Sequence, residues 1–388
     1  MPSTTITSGV QYSGIWSLAG QANAKALGTW PEPPILYGLY GWGQGTGGII
    51  GLGNTTLYST SQKVGTNIWN AVGRGDEAAA AIRSDGTLWT WGQNAHGTLG
   101  LNNTTVYSSP KQVGALTNWL KITGGDSFFL SIKTDGTLWA WGANYGRLGL
   151  DNVTSYSSPK QVGANTNWKS VSCSIGWSVA VTTSGTLFSW GSNNYGQLGL
   201  GNTTNYSSPK QVGALTNWLS ATAGRYSCYA VQTNGTLWAW GYGPNGRLGL
   251  GNSTYYNSPK QIGALTTWAS AGGSAASGFA IKNNGTLWSW GYNAQGQLGL
   301  GNTTTYSSPK QVGLLTDWLL LCGSGYFTAS VKTNGTLWTW GQNNFGQLGL
   351  GNATYYSSPM QVGLSTKWGA INGFPRPSVK GFIATNGS

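Results

Sequence analysis

Charge is what this 388-residue chain most lacks. Charged residues make up 7% of it, against roughly a quarter in an average soluble domain. Eight side chains are acidic and 20 basic, and there is one histidine, His96. Hydrolytic or acid–base chemistry needs paired carboxylates, a nucleophile–histidine–acid set or a bound metal. The acids are Glu32, Asp76, Glu77, Asp85, Asp126, Asp135, Asp151 and Asp317. Asp85 and Asp135 stand in Asp-Gly turns, and Asp76-Glu77 is an adjacent pair in a loop. A single histidine cannot build a metal cluster. The expectation is a protein with no catalytic residues, no metal site and no cofactor.

Cysteine is scarce too. Cys173, Cys228 and Cys322 are odd in number and have no metal-ligand spacing, so they read as small buried apolar residues. No apolar run is long enough to cross a membrane, and no charged stretch followed by an apolar one opens the chain. The reading is soluble synthesis without export and without membrane insertion. The net charge of +12 is spread thinly, with no block of five or six like charges, which argues against nucleic acid as the partner.

In place of these the chain is rich in Gly (63), Trp (22) and Tyr (19). Aromatic content this high is unlike disorder. Dense Gly, Asn, Thr and Ser between short apolar runs suit many short strands joined by tight turns. The runs repeat. Trp-Gly recurs at Trp42, Trp91, Trp141, Trp190, Trp240, Trp290 and Trp340, every 49 or 50 residues. A second series follows at Trp69, Trp119, Trp168, Trp218, Trp268, Trp318 and Trp368. Seven units of this length predict an all-β, seven-bladed propeller occupying residues 35–388.

Each unit reads as four strands. In one of them residues 168–174 form the innermost strand, 178–182 the second, 186–191 the third and 209–213 the outer one. Turns such as Asp85-Gly86, Asp135-Gly136 and Asn234-Gly235 suit two-residue hairpins, whose central positions need positive φ. Lys111, Lys160, Lys210, Lys260 and Lys310 recur beside Pro on the outer strand, where they guard an exposed edge. The Asn-x-Thr triplets beginning at Asn54, Asn103, Asn152, Asn202, Asn252, Asn302 and Asn352 fall in one turn of every unit, which points to backbone hydrogen bonding rather than glycosylation. The end of the chain, residues 382–387, stops where a third strand is due. Residues 36–42 supply that strand, so one blade is built from both ends and closes the ring.

The motif Asp-Gly-Thr-Leu-Trp-x-Trp-Gly, followed by the Gly-Gln-Leu-Gly-Leu-Gly stretch within residues 194–201, resembles the regulator of chromosome condensation repeat family. The resemblance covers the chain from Leu36 onward and implies a seven-bladed propeller. It does not carry the family's known activities with it. Nucleotide exchange there uses acidic and histidine residues and a protruding wedge, of which this chain has few or none. Light sensing uses a Gly-Trp-Arg-His-Thr motif that neither Gly176-Trp177-Ser178 nor Gly224-Arg225-Tyr226-Ser227 matches.

Residues 1–34 read as a separate docking or strap segment with a short helix from Ser17 to about Leu27. Tyr12-Ser13-Gly14-Ile15-Trp16-Ser17-Leu18 and Gly28-Thr29-Trp30-Pro31 resemble segments of virion proteins of aquatic tailed bacteriophages. Tyr12, Ile15, Trp16, Leu18 and Trp30 are the candidate residues for docking to other virion proteins.

Near-identical units provide an internal control, because positions that vary among them are not required by the shared frame. Two loops vary most, and both belong to one face. They contribute the candidate ligand-binding residues Phe128, Tyr145, Trp177, Tyr195, Arg225, Tyr226, Tyr326, Phe327 and Phe345, with Pro375-Arg376 in the last loop. Loops on a rigid scaffold are where binding usually resides, and aromatic residues with a polar edge anchor interfaces or stack on sugars. The expected function is a non-enzymatic phage virion accessory protein, tail or fibre-like, that presents the propeller to a host-surface glycan or protein. The alternatives are a purely structural capsid-decoration or neck protein, and an intracellular propeller scaffold that binds a protein partner.

Overall fold

The computed structural model describes residues 36–372 and 381–387. The repeat dictates its architecture. A representative unit contains Trp168–Cys173, Trp177–Thr182, Leu187–Gly191 and Tyr206–Gln211, paired antiparallel in that order. The first strands of adjoining units touch one another around the axis. They are tied there by Lys121 Nζ to the Lys169 carbonyl (2.5 Å) and by Thr222 Oγ1 to the Ala271 carbonyl (3.0 Å). The outer strand begins three residues before Pro209, because the Gly191–Tyr206 pair already belongs to the ladder.

Five units are separate four-stranded sheets. The other two share a strand and merge into one seven-stranded sheet. Tyr58–Arg74 is the shared strand: its first part is the outer strand of the closing blade, and its second part is the innermost strand of the next. Two local changes account for this. Ser61 stands where other units have Pro, and the Val64-to-Trp69 connection is one residue shorter than Val113-to-Trp119.

The ring closes as the sequence predicts. Tyr37–Gly43 pairs along its whole length with Gly381–Gly387, from Tyr37↔Gly387 to Gly43↔Gly381. Trp368–Asn372 completes the blade on the inner side. Sheet edges that would otherwise be open are thereby used up. The expected segment 1–34, with its helix, lies outside the described residues.

What holds blade to blade is the Trp-Gly tryptophan. All seven are fully buried, and each indole donates Nε1–H to a carbonyl of the preceding blade. Trp91 reaches Ile49 (2.8 Å), Trp240 reaches Gln197 (2.9 Å), and Trp42 reaches Gln347 (3.0 Å) across the closure. Each indole lies against the Gly of a Leu-Gly or Ile-Gly pair. At Gly199, φ is +73° and an added Cβ would sit 2.6 Å from Trp240 Nε1. Only glycine provides both that backbone conformation and that space.

The turn residues also act as their type requires. Asp85 accepts from the Thr87 amide (3.0 Å) and hydroxyl (2.6 Å), and Asn234 does the same for Thr236. In all seven Asn-x-Thr triplets the Asn Oδ1 accepts the amide of the Thr two residues on, at 3.0 Å. These asparagines build turns. Lys111, Lys160, Lys210, Lys260 and Lys310 are exposed on the outer strands, each 5.4–5.7 Å from the ring of a Tyr on its own strand.

A tyrosine and arginine cluster on the variable face

The start of each second strand pairs with the Gly of Trp-Gly, as in Trp177↔Gly191 and Ser227↔Gly241. The loop before the second strand and the loop after the third therefore emerge side by side on one face. The variable loops among the described residues gather there.

Three of the expected contact residues are not available on that face. Trp177 is 1% exposed, and Phe128 and Phe327 are fully buried. They occupy the first position of the second strand in three different blades, and this position points between blades. Trp177 packs with Val179, Leu198 and Trp240. The same position holds Ala78, Ser227 and Ser277 elsewhere, so it varies as a matter of core packing. Beside Ser227 the volume is supplied instead by buried Tyr229, whose hydroxyl accepts from Ser227 Oγ (3.2 Å) and donates to the Arg247 carbonyl (2.7 Å).

The other candidates lie at the surface. Tyr145 is 71% exposed, with the Arg147 guanidinium 5.0 Å from its ring centroid. Tyr326 is half-buried and 5.7 Å from Tyr292, and Phe345 is half-buried in the same blade as Tyr326. The Pro375-Arg376 loop and the residues Tyr12, Ile15, Trp16, Leu18 and Trp30 lie outside the described residues.

Tyr195 and Tyr226 are brought together, and two tyrosines that the sequence reading passed over join them. Ring centroids are 4.9 Å apart for Tyr195–Tyr226 and Tyr195–Tyr242, and 5.0 Å for Tyr242–Tyr255. Both added residues carry a signal in the repeat. The residue after Trp-Gly is Gln44, Gln93, Ala143, Ser192, Tyr242, Tyr292 and Gln342 around the ring. The one before the outer-strand Tyr is Leu57, Val106, Ser155, Asn205, Tyr255, Thr305 and Tyr355.

Two arginines border the cluster. Arg225 sits over Tyr226 at 4.9 Å, and Arg247 over Tyr242 at 4.5 Å. Arg247 occupies the position held by Gln197, Gln297 and Gln347 in other blades, and it is 6% exposed. Its Nε donates to the Pro244 carbonyl (3.0 Å) and its Nη1 to the Ala275 carbonyl of the next blade (2.8 Å). Burial holds its pKa below the usual arginine value; the phenols of Tyr229 and Tyr242 oppose this and Arg225 adds to it. Arg83–Asp85 (4.0 Å) and Lys332–Asp317 (3.5 Å) form ion pairs, and neither involves the cluster. The acids of this face stand in other blades. Asp76 and Glu77 line a cleft of about 230 Å³ with Arg74, Gln44 and Gln93. Among the described residues no three His, Cys, Asp or Glu side chains converge to hold a metal, and no helix is long and apolar enough to cross a membrane.

Seven four-stranded blades closed by a strand from each end define a repeat β-propeller with one individually varied face. The chain belongs to the regulator of chromosome condensation family. The Regulator of chromosome condensation (RCC1) repeat matches residues 85–132, 135–181, 184–231, 234–276, 284–331 and 334–371, and a second form of it matches 168–197. No curated protein sequence matches the chain. Among solved structures, human WBSCR16 is similar at 19% identity and TM-score 0.80, covering 91% of this chain and 99% of its own. Prp20p from Saccharomyces cerevisiae, studied for its binding to Gsp1p and histones, is similar at 16% identity and TM-score 0.78, covering 92% of each chain. The same yeast protein in complex with Kap60 is similar at 17% identity and TM-score 0.79, covering 100% of this chain and 95% of its own. At these identities the likeness is one of fold.

Proposed function

We propose that this chain is a non-catalytic interaction module that binds a protein partner through the tyrosine and arginine cluster of its varied face. The observation that carries this reading is the cluster itself. Tyr195, Tyr226, Tyr242 and Tyr255 are not needed by the repeat, since other blades place Gln, Ser, Ala or Thr at corresponding sites. Tyr and Arg are the residues that most often dominate binding energy at interfaces. Prp20p, similar in fold, binds proteins. The test is affinity capture with the tagged chain, compared with a variant carrying Tyr195→Ala, Tyr226→Ala and Tyr242→Ala. Loss of the captured partner is expected. The same partner retained at the same yield would overturn the reading.

A second reading keeps the varied face and changes the partner. In it the chain is a virion component, located in the virion, with residues 1–34 docking to other virion proteins and the tyrosines holding a host-surface glycan. It rests on the resemblance read in Tyr12–Leu18 and Gly28–Pro31 to virion segments. Binding of the tagged chain to a glycan array, abolished by the same triple variant, is its expected outcome. No glycan bound would count against it. The purely structural alternative predicts that the triple variant assembles and functions normally.

A further inference from the structure

Resting on that reading of the face, we infer that the ligand of the tyrosine cluster is an acidic peptide segment, with a carboxylate seated at Arg225 and Arg247 and an apolar neighbour against the tyrosines.

Three features of the cluster lead there. Arg225 Nε is shielded from solvent and has no hydrogen-bond partner within the described residues. The loop that carries it is fixed: the Arg225 amide donates to the Ser274 carbonyl (3.4 Å), and its own carbonyl accepts from Trp177 Nε1 (3.4 Å). The backbone is held while the half-buried guanidinium keeps an unmet donor, and a carboxylate approaching its accessible side would match its planar fork.

Next, Arg225 and Arg247 flank the same pair of rings: they sit over Tyr226 and Tyr242, whose centroids are 6.0 Å apart, and the charge of Arg225 helps to hold the pKa of Arg247 down. Neither takes part in the ion pairs of the described residues. One carboxylate placed between them would offset both charges, in a setting where burial reduces screening by salt.

The tyrosines then separate a peptide from an acidic sugar. Their rings meet edge to face for Tyr195–Tyr242 (70°) and Tyr242–Tyr255 (87°), are tilted at 51° for Tyr195–Tyr226, and lie at 29° for the more distant Tyr195–Tyr255 pair. The two edge-to-face contacts, both made by Tyr242, cover part of the flat ring area, so the cluster offers edges and hydroxyls beside what ring face is left. A pyranose stacks on an open flat face, whereas a side chain flanked by backbone amides and carbonyls uses ring edges and hydroxyls.

The experiment is an array of hexapeptides, each with two Asp or Glu flanking an apolar residue, printed beside the same peptides with Asn or Gln. Labelled oligogalacturonate serves as the acidic-sugar probe. The whole chain is applied at 50 and 200 mM NaCl. Acidic peptides are expected to bind, their Asn or Gln counterparts to bind at least tenfold more weakly, and the higher salt to weaken binding. Arg225→Gln is expected to weaken binding at least tenfold, with Arg225→Lys recovering part of it. Arg247→Gln restores the residue of three other blades and so keeps the fold; it is expected to weaken binding too. Unfolding midpoints of the variants separate lost binding from lost structure. Equal binding of neutral and acidic peptides, removed by Tyr226→Ala, would overturn the acidic class while leaving the protein-binding reading intact. Oligogalacturonate bound in preference to every peptide would overturn the peptide assignment. No probe bound at either salt would overturn the inference, and capture of a partner by the parent chain would still decide the reading of the face separately.

Discussion

Replacing Gly199 by Ala tests the account of how blades are joined. The added Cβ would lie 2.6 Å from Trp240 Nε1 and 3.0 Å from its Cδ1. A left-handed backbone at φ +73° costs a non-glycine residue about 1–2 kcal/mol. Overpacking against a fully buried indole adds about 1–3 kcal/mol. Displacing the indole also strains its 2.9 Å bond to the Gln197 carbonyl, worth about 1 kcal/mol net. Alanine's smaller unfolded-state entropy returns about 0.4–1 kcal/mol. The expected loss for Gly199→Ala is therefore about 2–6 kcal/mol. Gly213 is the control. It lies in the same blade at φ +62°, and an added Cβ there meets nothing within 4 Å. Gly213→Ala incurs only the backbone cost, about 1 kcal/mol after the same entropy correction. Urea unfolding followed by tryptophan fluorescence, with slopes compared to confirm that only the midpoint moves, reads the difference directly. Equal midpoints for the two variants would refute the claim that the indole's close approach, rather than backbone conformation alone, fixes glycine at position 199.

Two more outcomes follow from burial and from the turns. Burial pushes Cys173 up to about 12 and Cys228 well above the usual thiol value, whereas Cys322 is half-buried. The reactive species is the thiolate, so a thiol reagent at neutral pH should label the native protein at Cys322 alone and all three cysteines after denaturation. Labelling of a Cys322→Ser variant in its native state would contradict this. At Asp85 and Asp135, hydrogen bonds from the hydroxyls and then the amides of Thr87 and Thr137 hold the carboxyls below the usual range. A depressed carboxyl contributes stability that is present above its unfolded value, about 3.9, and is lost as pH falls through the folded value. The double variant Asp85→Asn, Asp135→Asn, which copies the Asn turns of other blades, should lose less stability in acid than the parent. Identical unfolding midpoints from pH 5 downward would show that these turns contribute nothing to acid sensitivity.

Much of the architecture was legible because its signals are local. A Trp-Gly every 49 or 50 residues counts blades without any knowledge of contacts. Asp-Gly and Asn-Gly mark hairpins through their own φ, and a terminal strand that stops one short implies its complement at the other end. The merging of two sheets through Tyr58–Arg74 depended on a missing Pro and one missing connecting residue, too small a change to read as a continuous strand in advance.

The candidate site was less legible. Variation among units pointed to the face that carries the tyrosine cluster, but it could not separate positions that vary because they face solvent from positions that vary because neighbouring blades repack. Trp177, Phe128 and Phe327 are of the second kind. The next blade decides their burial, and its side chains compensate in volume, as Tyr229 does beside Ser227. Tyr195 and Tyr255 lie 60 residues apart in the chain, and adjoining blades bring their rings to 6.2 Å. Arg247 took the place of a glutamine in the frame, and only the structure shows its guanidinium reaching the Ala275 carbonyl of the next blade. The sequence alone determined the number of blades, their strand order and the joining of the ends, since backbone pattern and turn chemistry repeat locally. Which varied side chains meet, and which are exposed to a partner, was decided by the packing of blade against blade.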